Sequence, residues 1–537
     1  MFGLQAHIGS PGVIFEGKLG KYQIMANVEP PEVIPGTAKI TVVIQGNPEN
    51  VKVFGKPVYW TAGMTGTPRA DELLAVPDEP GRFEGEIWFM GAGTSSVALS
   101  VEDTEESAEV IIPVMAMATA QNKMEPELGI ALAVLGIFLV VLMVTIVVSA
   151  MSDGLLPAGQ AAGSNWRRRK ITGVVIGSLV MILVLYLGKS WWDSWAAGYN
   201  QRLYQPFEAE AEFVQNENGQ FIQLHIDNDK INFRRYLRKI SYIIPDHGKL
   251  MHMFLIREGT LDAFAHLHPK RIDTVTFESK LPPLPAGKYY VFADITRYSG
   301  FSETIVSSLE IPETSTPVVF AKWGSGVDRD DTYTISNPIN SDKPLLLDDD
   351  LIICGKPGMK TTLPNGYTAV WETDGEPFKA RKLYALNFAL TTPDGEPAKL
   401  EPYLGMMGHA VVMRNDGSVY IHLHPVGNYS MASQQVLIDR FNSGKIGWNN
   451  MPEGRSFADS IDHVIAWLDA LPESTRDSLL MGNMVHTPVE IDSEEHDEHS
   501  MVRFPYAFPK AGDYRIWLQV KIEGKIVNGA FDVKVSE

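Results

Sequence analysis

Residues Leu128 to Met151 run for 24 positions without a charged side chain and are mainly Leu, Val, Ile, Ala and Gly. A helix needs about 20 such residues to cross a bilayer core, so this length favours a membrane span over a buried core helix. A second apolar run, Ile171 to Gly188, is followed by Trp191, Trp192 and Trp195, an aromatic belt of the kind found at membrane interfaces. The two runs predict a transmembrane helical hairpin over residues 126–190. Within the second, Gly173 and Gly177 form a Gly-x-x-x-Gly pair that would let two helices approach closely.

The loop between the runs, Ser152 to Lys170, ends in Arg167-Arg168-Arg169-Lys170. The other flanks are poorer in cations: Lys123 stands beside Glu125 and Glu127, and Lys189 near Asp193. The positive-inside rule therefore places the loop in the cytoplasm. Both large soluble parts are then expected on the outer side of a bacterial-type inner membrane, periplasmic or extracellular. The inverted topology is the alternative. An exterior segment before the hairpin must be translocated, yet no apolar signal core precedes His7. The expectation is a leader upstream of Met1, or one already removed.

The soluble parts read as β-structure. Ala38 to Ile44 is rich in β-branched residues, and Gly85–Met90 and Ser95–Leu99 flank a turn at Gly91 and Gly93. The expected fold class is mainly β, with Ig-like or cupredoxin-like β-sandwich domains plus the two-helix hairpin. The expected domains are an N-terminal exterior sandwich (1–125), the hairpin (126–190), a first exterior repeat (205–313), a linker (314–349) and a second repeat (350–537) with an insertion at 426–500. The linker is rich in Pro, Ser and Asp and has room for one or two strands. The insertion carries an expected helix, Asp459 to Leu471, capped by Asp459 or Ser460, with Ile461, Val464, Ile465 and Leu468 at helical spacing.

The two exterior repeats share a motif. The first reads Met251-His252-Met253 through Arg257, then His266-Leu267-His268-Pro269; the second reads Gly408-His409-Ala410 through Arg414, then His422-Leu423-His424-Pro425. First and second histidines lie 14 residues apart in one copy and 13 in the other, and six of the chain's 13 histidines fall at matching places. Each copy later carries an Ala-Gly-x-Tyr turn: Ala286-Gly287-Lys288-Tyr289 and Ala511-Gly512-Asp513-Tyr514. Residues i and i+2 on a strand face the same way, roughly 7 Å apart. His266 and His268 can therefore point together, as can His422 and His424, with His252 or His409 brought in by a neighbouring antiparallel strand. Three converging imidazoles suit copper or zinc. A structural role, with each ring bonded to backbone groups at a strand end, is the alternative.

Other candidates carry less. Glu494 to His499 reads as a solvated loop, and Met406, Met407, Met431, Met481 and Met484 as core filler rather than Cu(I) thioethers. His7 would chelate Cu(II) if cleavage after Ala6 made it N-terminal. The lone cysteine, Cys354, excludes an intrachain disulfide and Cys-rich metal sites, and reads as a buried strand thiol. A net charge of −19 argues against nucleic acid as a partner. No nucleophile elbow, phosphate loop or zinc-protease helix stands in the chain, so no enzymatic activity is expected.

With these Met-His and His-x-His-Pro strands and the Ala-Gly-x-Tyr turn, the exterior repeats resemble bacterial YtkA-like domains. The N-terminal domain and its following helix resemble FixH-like proteins. The resemblance implies a metal-associated exterior protein, with copper handling or delivery near a membrane respiratory complex. Asp294, after the first turn motif, faces Gln519 at the matching place of the second copy, so the two sites would differ if Asp294 were a ligand. The expected metal ligands are His252, His266, His268, His409, His422 and His424. The rival expectations are a scaffold subunit of a membrane assembly that binds no metal and, more remotely, an exterior oxidoreductase using the histidines.

Overall fold

A computed structural model describes residues 7–8, 12–46, 48, 50–227, 240–313, 326–339, 348–353, 356–443, 452–482 and 500–537. Strands make up 43% and helices 25% of the structure, so the class is mainly β. The chain divides into two compact units, 117–204 and the remainder.

The smaller unit is the hairpin. Helix α1 (Pro126–Met151) and helix α2 (Trp166–Asn200) are long and apolar enough to span a membrane. Their outer faces expose Leu135, Phe138, Val141, Leu179, Ile182 and Leu185, an apolar surface of the kind a membrane or protein partner covers. Gly173 and Gly177 are the buried residues of α2. A Cβ on Gly173 would come within 2.9 Å of the Val148 backbone, and one on Gly177 within 3.4 Å of Val144. The small residues thus mark where the helices touch, as expected for packing without a hydrophobic driving force.

The larger unit is built of sheets. Its N-terminal part runs from Val13–Leu19 to Ser107–Ala116 as eight antiparallel strands. The short strand Asp71–Ala75 pairs with Lys52–Tyr59 on one side and Arg82–Phe89 on the other, joining the two layers.

Each of the two C-terminal halves adds a layered pair of sheets. In the first half a four-stranded sheet packs on one containing β1 (His252–Arg257), β2 (Ala263–Leu267) and β3 (Gly287–Arg297). In the second a five-stranded sheet packs on one containing β4 (His409–Arg414), β5 (Val419–Leu423) and β6 (Gly512–Ile522). The strand order β3-β1-β2 matches β6-β4-β5, and the registers match: His252 lies opposite Asp294, His409 opposite Gln519.

The local sequence explains the match. Gly287 and Gly512 have φ of +138° and +145°, and each receives the arginine that ends the histidine strand, Arg257 on Ala286 O and Arg414 on Ala511 O. Tyr289 and Tyr514 each donate to the carbonyl four residues upstream, Pro285 and Lys510, at 2.7 Å. The Ala-Gly-x-Tyr motif is therefore a corner that locks strand ends.

Thr332–Ile335, a strand within the expected linker, pairs with β2 and extends the first half's sheet. Among the described residues the insertion holds three helices: α3 (Met431–Ser443), α4 (Gly454–Ala470) and α5 (Glu473–Gly482). Helix α4 starts before Asp459 because the Glu453 carboxylate accepts from Arg455 N and Ser456 N, leaving Asp459 and Ser460 inside the helix. Of its expected apolar face, Ile461 and Ile465 pack on the first half's core and Leu468 is buried, while Val464 is exposed. Cys354 lies outside the described residues.

Candidate metal centre

Alternation along the hairpin strands sets the site. On β1 and β2, Met253, Leu255, Ala265 and Leu267 enter the first half's own core, while Phe254, Ile256 and Phe264 face the other way. On β4, β5 and β6, Val411, Met413, Tyr420 and Trp517 do the same for the second half. The two outward faces form one core: Phe264 stacks on Trp517 at 5.0 Å and Phe292 on Tyr420 at 3.9 Å. The six motif histidines share the parity of these faces, so they are buried where the halves meet.

Each set of three converges. One ring nitrogen from each of His252, His266 and His268 lies within 4.8 Å of the others, and so it is for His409, His422 and His424. His252 Nδ1 stands 3.1 Å from His266 Nε2, and His409 Nδ1 stands 3.2 Å from His422 Nε2. For metal–nitrogen bonds of about 2.0–2.1 Å, these separations subtend about 100° at a shared ion, close to tetrahedral.

The opposite nitrogens decide which tautomer each ring takes. His252 Nε2 faces Asp246 O at 3.1 Å and His409 Nε2 faces Tyr403 O at 3.1 Å; a carbonyl only accepts, so both Nε2 atoms carry the proton. His266 Nδ1 donates to Gln519 Oε1 at 3.1 Å, because Gln519 Nε2 is committed to Asn528 Oδ1 and Asn528 Nδ2 to Thr332 Oγ1. His268 Nδ1 donates to Asp331 Oδ1 at 2.9 Å, and His424 Nδ1 to Tyr429 O at 3.2 Å. His422 Nδ1 lies 3.5 Å from Asp294 Oδ2. The inward nitrogens of His252, His266, His409 and His424 are then unprotonated. In the first triad two lone pairs confront each other at hydrogen-bond distance, and in both triads the third nitrogen, His268 Nε2 or His424 Nε2, is buried without a hydrogen-bond partner. A purely structural histidine cluster would pair these atoms. A cation among them resolves the repulsion, and the outward bonds are the usual orienting shell of metal-bound imidazoles.

Burial favours the neutral ring at five of these histidines. Desolvation lowers His252, His266, His409 and His422 well below the ordinary histidine value, and takes His424 down to about 3. The same cause pushes Asp294 up to about 7. Asp294 accepts from Thr304 and Tyr420 and belongs to neither triad; it stands behind a ring of the other half, as Gln519 does. The difference between the copies thus lies in the groups behind the rings, and each candidate ligand set consists of three histidines.

A buried ion network backs the first triad. Lys249 contacts Asp328 at 2.6 Å and Asp330 at 2.8 Å, Arg476 of α5 contacts Asp330 at 2.6 Å, and Lys521 contacts Asp477 at 3.1 Å. Burial alone would raise Asp330, but Lys249 and Arg476 hold it below the usual carboxylate range. The network fixes the loop that carries Asp331.

The structure adds a seventh histidine that the motif comparison missed. His247, 5% exposed, has its ring centre 4.8 Å from that of His424, 5.7 Å from His409 and 6.0 Å from His252. Its signal was present in the turn five residues before each motif's first histidine. Of the methionines, Met406 and Met431 are buried and Met407 packs on the second half's core, whereas Met481 is exposed. Glu494 to His499, Met484 and the side chain of His7 lie outside the described residues.

A family profile described as a domain of unknown function (DUF8832) matches residues 361–443 and 480–537, a span that includes the second triad. Among curated proteins, none matches this chain. Similar solved structures include a tetra-tandem repeat from the extending region of a large adhesion protein (7% identity, 94% of this chain and 71% of that one, TM-score 0.14). Another is dimeric latent PorU from Porphyromonas gingivalis (9% identity, 98% and 34%, TM-score 0.13). A third is a putative membrane anchored protein from Corynebacterium diphtheriae (8% identity, 96% and 92%, TM-score 0.13).

Proposed function

We propose that this chain is a membrane-anchored metal-binding protein that takes up copper at two three-histidine sites and passes it on outside the cytoplasm, beside a membrane respiratory complex. The observation that carries this reading is the convergence of six buried histidines in two groups of three, five of them with the opposite ring nitrogen hydrogen-bonded to an outer group. Neutral imidazoles without thiolate or carboxylate suit copper or zinc, and copper binds such sets more tightly than zinc does. The hairpin supplies the anchor, and the Arg167–Lys170 loop faces the cytoplasm in this reading. Binding rather than catalysis fits a buried centre with the Phe254 ring packed against His266 and His422.

The test is metal analysis of the full chain in detergent after exposure to equal copper and zinc, followed by gel filtration. Retention of two copper ions per chain is expected. Exclusive retention of zinc overturns copper handling, and retention of neither favours a scaffold.

A further inference from the structure

The turn that carries His247 has a counterpart in the other half. Asp246 and Lys249 bond reciprocally through their backbones at 2.9 Å; Tyr403 and Met406 do so at 2.6 and 3.1 Å. The central residues match as well, with φ of +51° and +78° at His247 and Gly248 against +52° and +79° at Leu404 and Gly405. Both glycines face Leu480 of α5. Two residues in the left-handed region define a type I′ turn, where Asn or Gly is the relaxed first choice. The turn's geometry asks for no imidazole, since the sister turn is made with leucine.

The histidine is nevertheless buried, and its Nε2 has no hydrogen-bond partner, with Asp246 Oδ1 standing 3.5 Å away. A buried polar atom without a bond costs stability. Leucine would avoid that cost at this place. The ring lies against His424 and His409, two ligands of the other half's triad, and also against His252 of its own.

We propose that His247 is an exchangeable fourth ligand to the ion held by His409, His422 and His424, so that the two metal sites are unequal: four nitrogens in one, three in the other. This rests on the reading of the triads as metal sites. The nitrogens of His247 stand outside the 4.8 Å triad sets, so the ring turns inward to bind and outward to release. A four-nitrogen site closes the ion's coordination, whereas a three-nitrogen site keeps one position open for an incoming or departing ligand. The first half is then the exchange site and the second the holding site, and His247, in reach of both triads, stands on the path between them.

The experiment is Zn(II) titration of the full chain in detergent against a chromophoric chelator. The wild type is expected to bind two ions with unequal affinity. His247→Leu copies the sister turn, and His247→Asn suits the left-handed backbone, so either one keeps the question answerable if the other misfolds. Each is expected to keep two ions while the tighter one weakens by about tenfold or more. Leu404→His, the reciprocal change, is expected to tighten the weaker one. Unchanged affinities in a folded His247 variant overturn the proposal, and if His422→Ala still removes one ion, the triad reading survives that result. A wild type that binds no Zn(II) overturns this proposal, while the copper-retention test above separately decides the triad reading.

Discussion

Gln519→Leu separates a hydrogen-bond account of the centre from one based on proximity along the sheet. Gln519 lies opposite His409 in strand register, yet its side chain reaches across to His266 of the other half at 3.1 Å. Removing it leaves Asn528 Oδ1 without a partner and His266 Nδ1–H with only its longer bond to the Tyr403 hydroxyl at 3.3 Å. At about 1–3 kcal/mol for an orphaned group, the metal-stripped protein should lose roughly 1–3 kcal/mol of stability. The His266 ring, freed to turn or to change tautomer, should weaken the first site by about 10–100-fold, which is about 1.4–2.8 kcal/mol of binding energy. The second site should change little. The assay is competitive metal titration in two backgrounds, His422→Ala leaving only the first triad and His266→Ala leaving only the second. A loss confined to the second triad, or shared equally, would refute the crossed assignment of orienting groups.

Acid should destabilise the metal-stripped protein steeply. Burial lowers the pKa of His247, His252, His266, His409, His422 and His424, so the unfolded chain binds protons that the folded chain refuses, and stability is lost as pH falls below about 6.5. Each such histidine removes about 1.4 kcal/mol per pH unit in that window; a melting temperature that stays level between pH 7 and pH 5 would contradict the neutral assignment. Trp517→Ala should cost about 3–5 kcal/mol and loosen both sites together, because Trp517 packs on Phe264 in the core between the halves; metal affinities unchanged in a folded variant would show that this core does not position the triads. Gly173→Leu should disrupt the helix pair, since its Cβ would meet Val148 at 2.9 Å; an unaltered rate of crosslinking between cysteines placed in the two helices would argue against that contact.

Local pattern carried much of the fold. The charge-free run Leu128–Met151 is α1 with two residues added at its start, because an unbroken apolar run of that length reads as a helix without reference to any partner segment. The spacing of His266 with His268, and of His422 with His424, already implied a shared face. What covers that face was not legible. Alternation reports that Phe254 and Trp517 are buried, and says nothing of the partner hundreds of residues away that buries them. For the same reason Gln519 and Asp294 read as variants of one position, when each serves the opposite half. His247 escaped because the comparison stopped at the strands and did not extend to the turn, where a leucine stands in the second copy. The cap of α4 was misplaced because Asp and Ser are the commoner capping residues, and Glu453 took the role from outside the periodic stretch.

The central claim is that each triad holds one ion, and anomalous diffraction from crystals of the copper-loaded protein tests it most directly. The account predicts two peaks per chain, one within about 2.0–2.1 Å of His252 Nδ1, His266 Nε2 and His268 Nε2 and the other equally placed among His409 Nδ1, His422 Nε2 and His424 Nε2. No peak at either triad, with copper bound elsewhere or not at all, would contradict it.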